Sequence, residues 1–171
     1  MELELKRGGR TARVETLGGE LVSYRDERGL EYIWGGDPAY WPGRNPLLFP
    51  IVGMLKEGKI RFDGREYAME RHGFARRREF TPAARGEDWV RLELRESAET
   101  LALYPYSFRL AVEQRLTDTG FSTAVTVANP GEGPLPFCLG AHTGFRCPLE
   151  AGERFEDYEL VFPERESCPT L

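Results

Sequence analysis

A chain of 171 residues with 28 acidic against 23 basic side chains, a formal net charge of −5, fits one domain of ordinary size and offers no electrostatic footprint for nucleic acid. Its length lets it bury roughly 70% of the surface its unfolded chain exposes. No apolar stretch has signal-peptide or membrane-span length, and no Walker-type or G-x-G-x-x-G loop is present, which argues against membranes, nucleic acid and nucleotide cofactors as partners. Cys138, Cys147 and Cys168 are odd in number and form no C-x-x-C pair, so free thiols in a soluble, cytoplasmic protein are expected.

Taken in chain order, the pattern is of period two almost throughout. Met1-Glu2-Leu3-Glu4-Leu5 alternates charge with apolar side chains, and Gly18-Gly19 and Gly35-Gly36 read as turns. Proline and glycine are dense from Asp37 to Pro50. Ile60-Arg61-Phe62, Asp63-Gly64 and Arg65-Glu66-Tyr67 spell a tight hairpin, because Asp-Gly suits the positive φ values of a two-residue loop. The basic run Arg76-Arg77-Arg78 reads as a solvated strand face. In Trp89–Arg95 the residues Val90, Leu92 and Leu94 share one face of a half-buried strand. Ser97–Leu103 is the one helical segment, capped by Ser97 and ended by Tyr104-Pro105. Tyr106–Leu116 and Phe121–Val127 then form a hairpin about Thr117-Asp118-Thr119-Gly120, and Asn129–Pro136 is a second punctuated loop. With no repeat or linker, residues 1–171 are expected to form a single all-β domain, a sandwich of antiparallel sheets.

The chain has two histidines, each in a compact motif: Glu70-Arg71-His72-Gly73-Phe74-Ala75-Arg76 and Leu139-Gly140-Ala141-His142-Thr143-Gly144-Phe145. Imidazole exchanges protons near neutral pH. Flanking glycine and a following phenylalanine suggest backbone turning close to a ligand beside an aromatic wall, here Phe74 and Phe145. These two motifs, with Gly43-Arg44-Asn45-Pro46-Leu47-Leu48-Phe49-Pro50-Ile51-Val52-Gly53 and Tyr104-Pro105-Tyr106-Ser107-Phe108, resemble in order and spacing the aldose 1-epimerase (galactose mutarotase) family, particularly its divergent LacX-like bacterial branch.

The resemblance implies a galactose-mutarotase-like β-sandwich whose cleft holds a free hexose and interconverts its anomers, with neither metal nor cofactor. By it His142 falls at the general acid that protonates the ring oxygen, His72 at a second histidine beside the sugar, Arg44 at an arginine contacting its hydroxyls, and Phe155–Phe162 at a strand beyond the second histidine. Arg76 and Phe145 are further candidate substrate contacts. Histidine of suitable pKa and the fixed donor fork of arginine suit these tasks. Arg44 as a loop-surface charge and Arg76 as a strand brace are the structural alternatives. Trp34, Tyr40 and Trp41 read equally as a stacking platform or as core filling. Cys138, His142 and Cys147 lack the spacing and the fourth ligand of a zinc site, and Cys138 lacks an activating context for a nucleophile.

The family's general base is a glutamate farther along than this chain reaches, and neither Glu164 nor Glu166 matches its motif. A short homologue or a fragment is therefore expected, lacking C-terminal strands and associating as a homo-oligomer that covers exposed edges. Two functions follow. The first is an aldose 1-epimerase-like isomerase deficient in its base, and the alternative is a non-catalytic carbohydrate-binding or sensing domain on the same fold.

Overall fold

The structure is a computed structural model and describes residues 1–165 and 167; Glu166 and Cys168, weighed above as a carboxylate and a thiol, lie outside the described residues. Strands β1 (Glu2–Arg7), β2 (Arg10–Glu15) and β3 (Glu20–Arg25) make an antiparallel sheet in that order. Leu3 and Leu5 are buried while Glu2 and Glu4 face solvent, as the alternation requires. Short β4 (Leu47–Leu48) follows. The hairpin of β5 (Lys59–Phe62) and β6 (Arg65–Ala68) turns on Asp63 and Gly64, both at positive φ, as expected.

Strands β7 (Thr81–Arg85), β8 (Trp89–Arg95), β9 (Arg109–Leu116) and β10 (Phe121–Ala128) form a second antiparallel sheet in the order β10-β9-β8-β7. Val90, Leu92, Leu110, Val112 and Leu116 from this sheet join Leu3, Leu5, Ala12, Val14 and Leu21 of the first in a single buried cluster. Each of the leucines and valines contributes roughly 1.5–3 kcal/mol on burial. Gln114 sits among them. Its side chain donates to the Gly19 carbonyl at 2.9 Å and accepts from Thr123 Oγ1 at 2.6 Å, so the buried amide is paired at both ends and pins β9 to the β2–β3 loop. The result is the expected antiparallel sandwich.

Four expectations change. The helix is a single turn, α1 (Ala98–Leu101). Ser97 caps it as read, but the reciprocal bond comes from Thr100 Oγ1, which accepts from the Ser97 amide. The strand placed at Tyr106–Leu116 begins only at Arg109, because Tyr104, Tyr106 and Phe108 instead fill an aromatic cluster with Phe49, Phe62 and Phe74. Arg76-Arg77-Arg78 is no strand face: Ala75–Arg77 forms a 3₁₀ turn. Phe155–Phe162 is not a strand either. Phe155–Asp157 is a 3₁₀ turn, and Leu160, Val161 and Phe162 are exposed, with no strand among the described residues pairing their backbone. Among the described residues no helix is long and apolar enough to cross a membrane.

Candidate active site

The buried segment Pro46–Pro50 is the spine of the site. Along one edge, β11 (Gly140–Ala141) pairs antiparallel with β4, the His142 amide donates to the Pro46 carbonyl at 3.2 Å, and Gly144 N–H donates to the Arg44 carbonyl at 2.7 Å. Along the other, Phe49 bridges Gly73 in parallel, and the amides of Phe74 and Ala75 both donate to the Phe49 carbonyl, at 3.0 and 3.2 Å. Two motifs seventy residues apart in sequence thus flank one strand. Gly73 makes this possible: its φ is +68°, and a Cβ there would lie 2.2 Å from the Phe49 carbonyl oxygen. Beneath the spine, Phe49 packs on Phe74, Tyr104 and Phe108, which fixes the strand rigidly on the core.

His72 itself has φ +66°, a left-handed conformation uncommon outside glycine. It is held there by two bonds to one residue. Its amide donates to the Gly53 carbonyl at 2.8 Å, and its Nδ1 accepts from the Gly53 amide at 3.0 Å. An Nδ1 that accepts carries no proton, so the neutral ring bears its hydrogen on Nε2. Burial, then the positive charges of Arg76 and Arg71 and the neighbouring His142, hold this imidazole below the ordinary histidine range.

The His72 and His142 rings lie 6.2 Å apart, centre to centre, tilted by 58°. Trp41 packs on the other side of His142 at 5.0 Å. His142 itself is exposed. Thr143 Oγ1 donates to Asn45 Oδ1 at 2.6 Å, and Glu20 Oε1 accepts from the amides of both Arg44 and Asn45, at 2.8 and 2.6 Å. The 44–45 bend and the residues after His142 are therefore tied to one carboxylate on β3.

The other expected residues are placed differently. Arg44 joins the site through its backbone; its guanidinium packs against Gly36 and makes no ion pair among the described residues. Arg76 lies on the 3₁₀ turn and donates from Nη2 to the Arg71 carbonyl at 3.0 Å, one peptide from His72. Phe145 bridges Ile33 through its backbone, and the residue is 66% exposed. Of the three aromatics, Trp34 and Trp41 are half-buried and Tyr40 is exposed, so none is pure core filling. A cavity of about 810 Å³ beside Glu93 and Thr100 and another of about 580 Å³ behind Gly73 and Phe74 are lined by neither histidine. His142 and Phe145 are exposed, and Trp41 beside them is half-buried. Cys138 and Cys147 are exposed, free thiols. Glu20 escaped the sequence reading and Gly53 entered it only as the end of a motif: the Glu20 carboxylate accepts from the distant amides of Arg44 and Asn45, and the Gly53 amide donates to the distant His72 ring, contacts that no local pattern signals.

The antiparallel sandwich belongs to the galactose-mutarotase-like class. A galactose mutarotase related enzyme from Lactobacillus acidophilus is similar at a TM-score of 0.88 and 28% identity, over 92% of this chain and 53% of that one. A galactose mutarotase-like protein from Lactobacillus casei is similar at 0.84 and 33% identity, over 88% and 52%. Protein LacX (plasmid) of Lactococcus lactis subsp. lactis is 41% identical over 174 residues, 98% of this chain and 58% of that protein. The aldose 1-epimerase family model matches residues 1–171, and the chain belongs to that family. It spans little more than half the length of these relatives.

Proposed function

We propose that this chain carries the acid side of an aldose 1-epimerase site acting on the anomeric centre of a hexose. The observation that supports it is the pair of imidazoles 6.2 Å apart, one of them locked as a neutral Nε2–H donor. His142, exposed at the site, delivers a proton to the ring oxygen as the C1–O5 bond breaks, while solvent water takes the anomeric hydroxyl proton and returns it on ring closure. The open-chain aldehyde then rotates about C1–C2 and closes on its other face, returning the proton to His142. His72 holds a sugar oxygen through Nε2–H, Phe145 and Trp41 offer apolar faces to the sugar ring, and Arg44 and Arg76 supply further donors.

Neither Glu164 nor Glu166 matches the base motif of the family. We therefore assign to this chain the acid but not the base that takes the anomeric hydroxyl proton. Mutarotation slower than that of a full-length relative by at least ~10²-fold is expected, about the effect of one proton-transfer group. The same observation favours a second reading, a carbohydrate-binding domain without turnover. Titration with glucose and galactose beside polarimetry on the freshly dissolved α-anomer separates the two. Turnover above background that is lost in His142→Ala supports the isomerase, binding without turnover supports the second reading, and no binding refutes both.

We infer in addition that a second copy covers the exposed apolar side chains Phe137, Leu139, Leu160, Val161 and Phe162; a monomer in sedimentation at micromolar concentration would contradict this. The cysteines fit a cytoplasmic setting.

A further inference from the structure

Of the nineteen glycines in the chain, four would bring a Cβ closer than 3.0 Å to another atom: Gly43, Gly73, Gly86 and Gly144. Two of the four meet one ring. A Cβ on Gly43 would lie 2.7 Å from Trp41 Cζ2, and one on Gly144 would lie 2.7 Å from Trp41 Cζ3. Neither glycine has a positive φ, so room for the indole, and not backbone conformation, accounts for the missing side chain. Gly144 stands two residues past His142, and the indole that it admits packs on the His142 ring at 5.0 Å, tilted by 57°.

The main chain ties the same two residues together. The Trp41 amide donates to the Asp37 carbonyl at 2.8 Å, and its carbonyl accepts from Trp34 Nε1 at 2.8 Å. Trp34 donates its own amide to the Gly144 carbonyl at 2.9 Å, so the loop carrying the indole and the segment carrying the imidazole are one hydrogen-bonded unit. The two histidines are held by opposite means. His72 is anchored through Nδ1, which accepts from the Gly53 amide, and this fixes one tautomer. Among the described residues no hydrogen bond reaches the His142 ring, and its ring neighbours are Trp41 on one side and His72, at 6.2 Å, on the other. An acid that gives up its proton and takes it back must keep its aim in both states. Packing on an indole allows this, because it makes no demand on either ring nitrogen, whereas a hydrogen bond to one of them would favour a single state.

We propose that Trp41 is a positioning residue, which orients the His142 imidazole toward the ring oxygen of the sugar and leaves both of its nitrogens available for proton exchange. This deepens the proposed function and rests on it. Trp41 acts through His142 and exchanges no proton itself.

The test compares the 171-residue chain with Trp41→Leu and Trp41→Phe by ¹H–¹³C spectra of the imidazoles, by calorimetric titration with galactose and by polarimetry on its freshly dissolved α-anomer. In the wild type the ring current of the indole should displace the His142 C–H resonances from free-histidine values. Trp41→Leu should return them to those values and lower the order parameter of the ring, while the His72 resonances hold their place. His142-dependent turnover should fall by ~10-fold or more, the scale of a misplaced catalytic group, and by more than galactose affinity does. Trp41→Phe, which keeps an aromatic face, should restore most of both ring order and turnover. Gly43→Ala, which crowds the indole without deleting it, should loosen His142 in the same sense, and it carries the test if Trp41→Leu does not fold. A His142 ring as well ordered in Trp41→Leu and Gly43→Ala as in the wild type overturns the positioning role. So does a loss of affinity as large as the loss of turnover, which would make Trp41 a sugar contact alone. A wild type without His142-dependent turnover refutes the isomerase reading instead, and the order of the His142 ring still decides the role of Trp41.

Discussion

His72 and Gly53 are hydrogen-bonded to each other twice, the His72 amide to the Gly53 carbonyl at 2.8 Å and the Gly53 amide to His72 Nδ1 at 3.0 Å. The pair fixes both the backbone and the tautomer of the imidazole, and it makes the ring intolerant of a second proton. Protonation would set an Nδ1–H against the Gly53 N–H and add a charge between Arg71 and Arg76. A depressed histidine pKa means that the unfolded chain binds a proton more readily than the native one. The stabilising effect is therefore complete above the unfolded value of about 6.5 and is lost as pH falls toward the lower native value. His72→Asn, which tolerates a positive φ, removes the titration. The stability advantage of the wild type over His72→Asn should shrink between pH 7.5 and pH 5 in urea unfolding. An advantage that grows on acidification would contradict the depressed pKa.

Gly73 and Gly64 make a controlled pair. Both have positive φ, but a Cβ at Gly73 would lie 2.2 Å from the Phe49 carbonyl oxygen, whereas nothing lies within 4 Å of one at Gly64. Gly64→Ala should cost about 1–2 kcal/mol, the strain of a left-handed residue alone. Gly73→Ala should cost ~4 kcal/mol or more and separate the histidine motif from its spine. Similar costs from chemical denaturation would refute the close approach.

Glu20 anchors the bend before the spine, accepting from two successive amides through one oxygen. Glu20→Ala leaves both donors without an acceptor and should destabilise by about 1–3 kcal/mol. Because Asn45 holds Thr143, the same change should weaken hexose binding at His142. Calorimetric titration of the folded variant measures the second effect, and an unchanged hexose affinity would show that the bend does not position the site.

Much of the sandwich was legible because its signals are local. The alternation of Val90, Leu92 and Leu94 marked a strand, Asp63-Gly64 marked a hairpin, and Ser97 marked a helix start. The basic run Arg76–Arg78 read as a strand face, and the strand that the resemblance implied at Phe155–Phe162, are both turns or coil, since a strand also needs a partner ladder and neither segment meets one among the described residues. Tyr104–Phe108 left the strand pattern because aromatic packing on Phe49 outweighed the ladder. Within the site, the two motifs were visible as sequence and their family resemblance placed them together. The means of holding them was not. Gly53 on His72 and Glu20 on Arg44 and Asn45 each join a side chain to the backbone of a distant segment, and neither a loop glycine nor a glutamate at a strand start carries a mark of such a partner.

With only His72 and His142 in the chain, a long-range ¹H–¹⁵N spectrum contains just two imidazole spin systems, and it reports directly on whether both rings meet one sugar. At neutral pH one ring should show the Nε2–H tautomer of His72, and addition of the hexose ligand should shift both rings together along a single binding curve. Shifts confined to one ring, or two rings following separate affinities, would contradict the shared site.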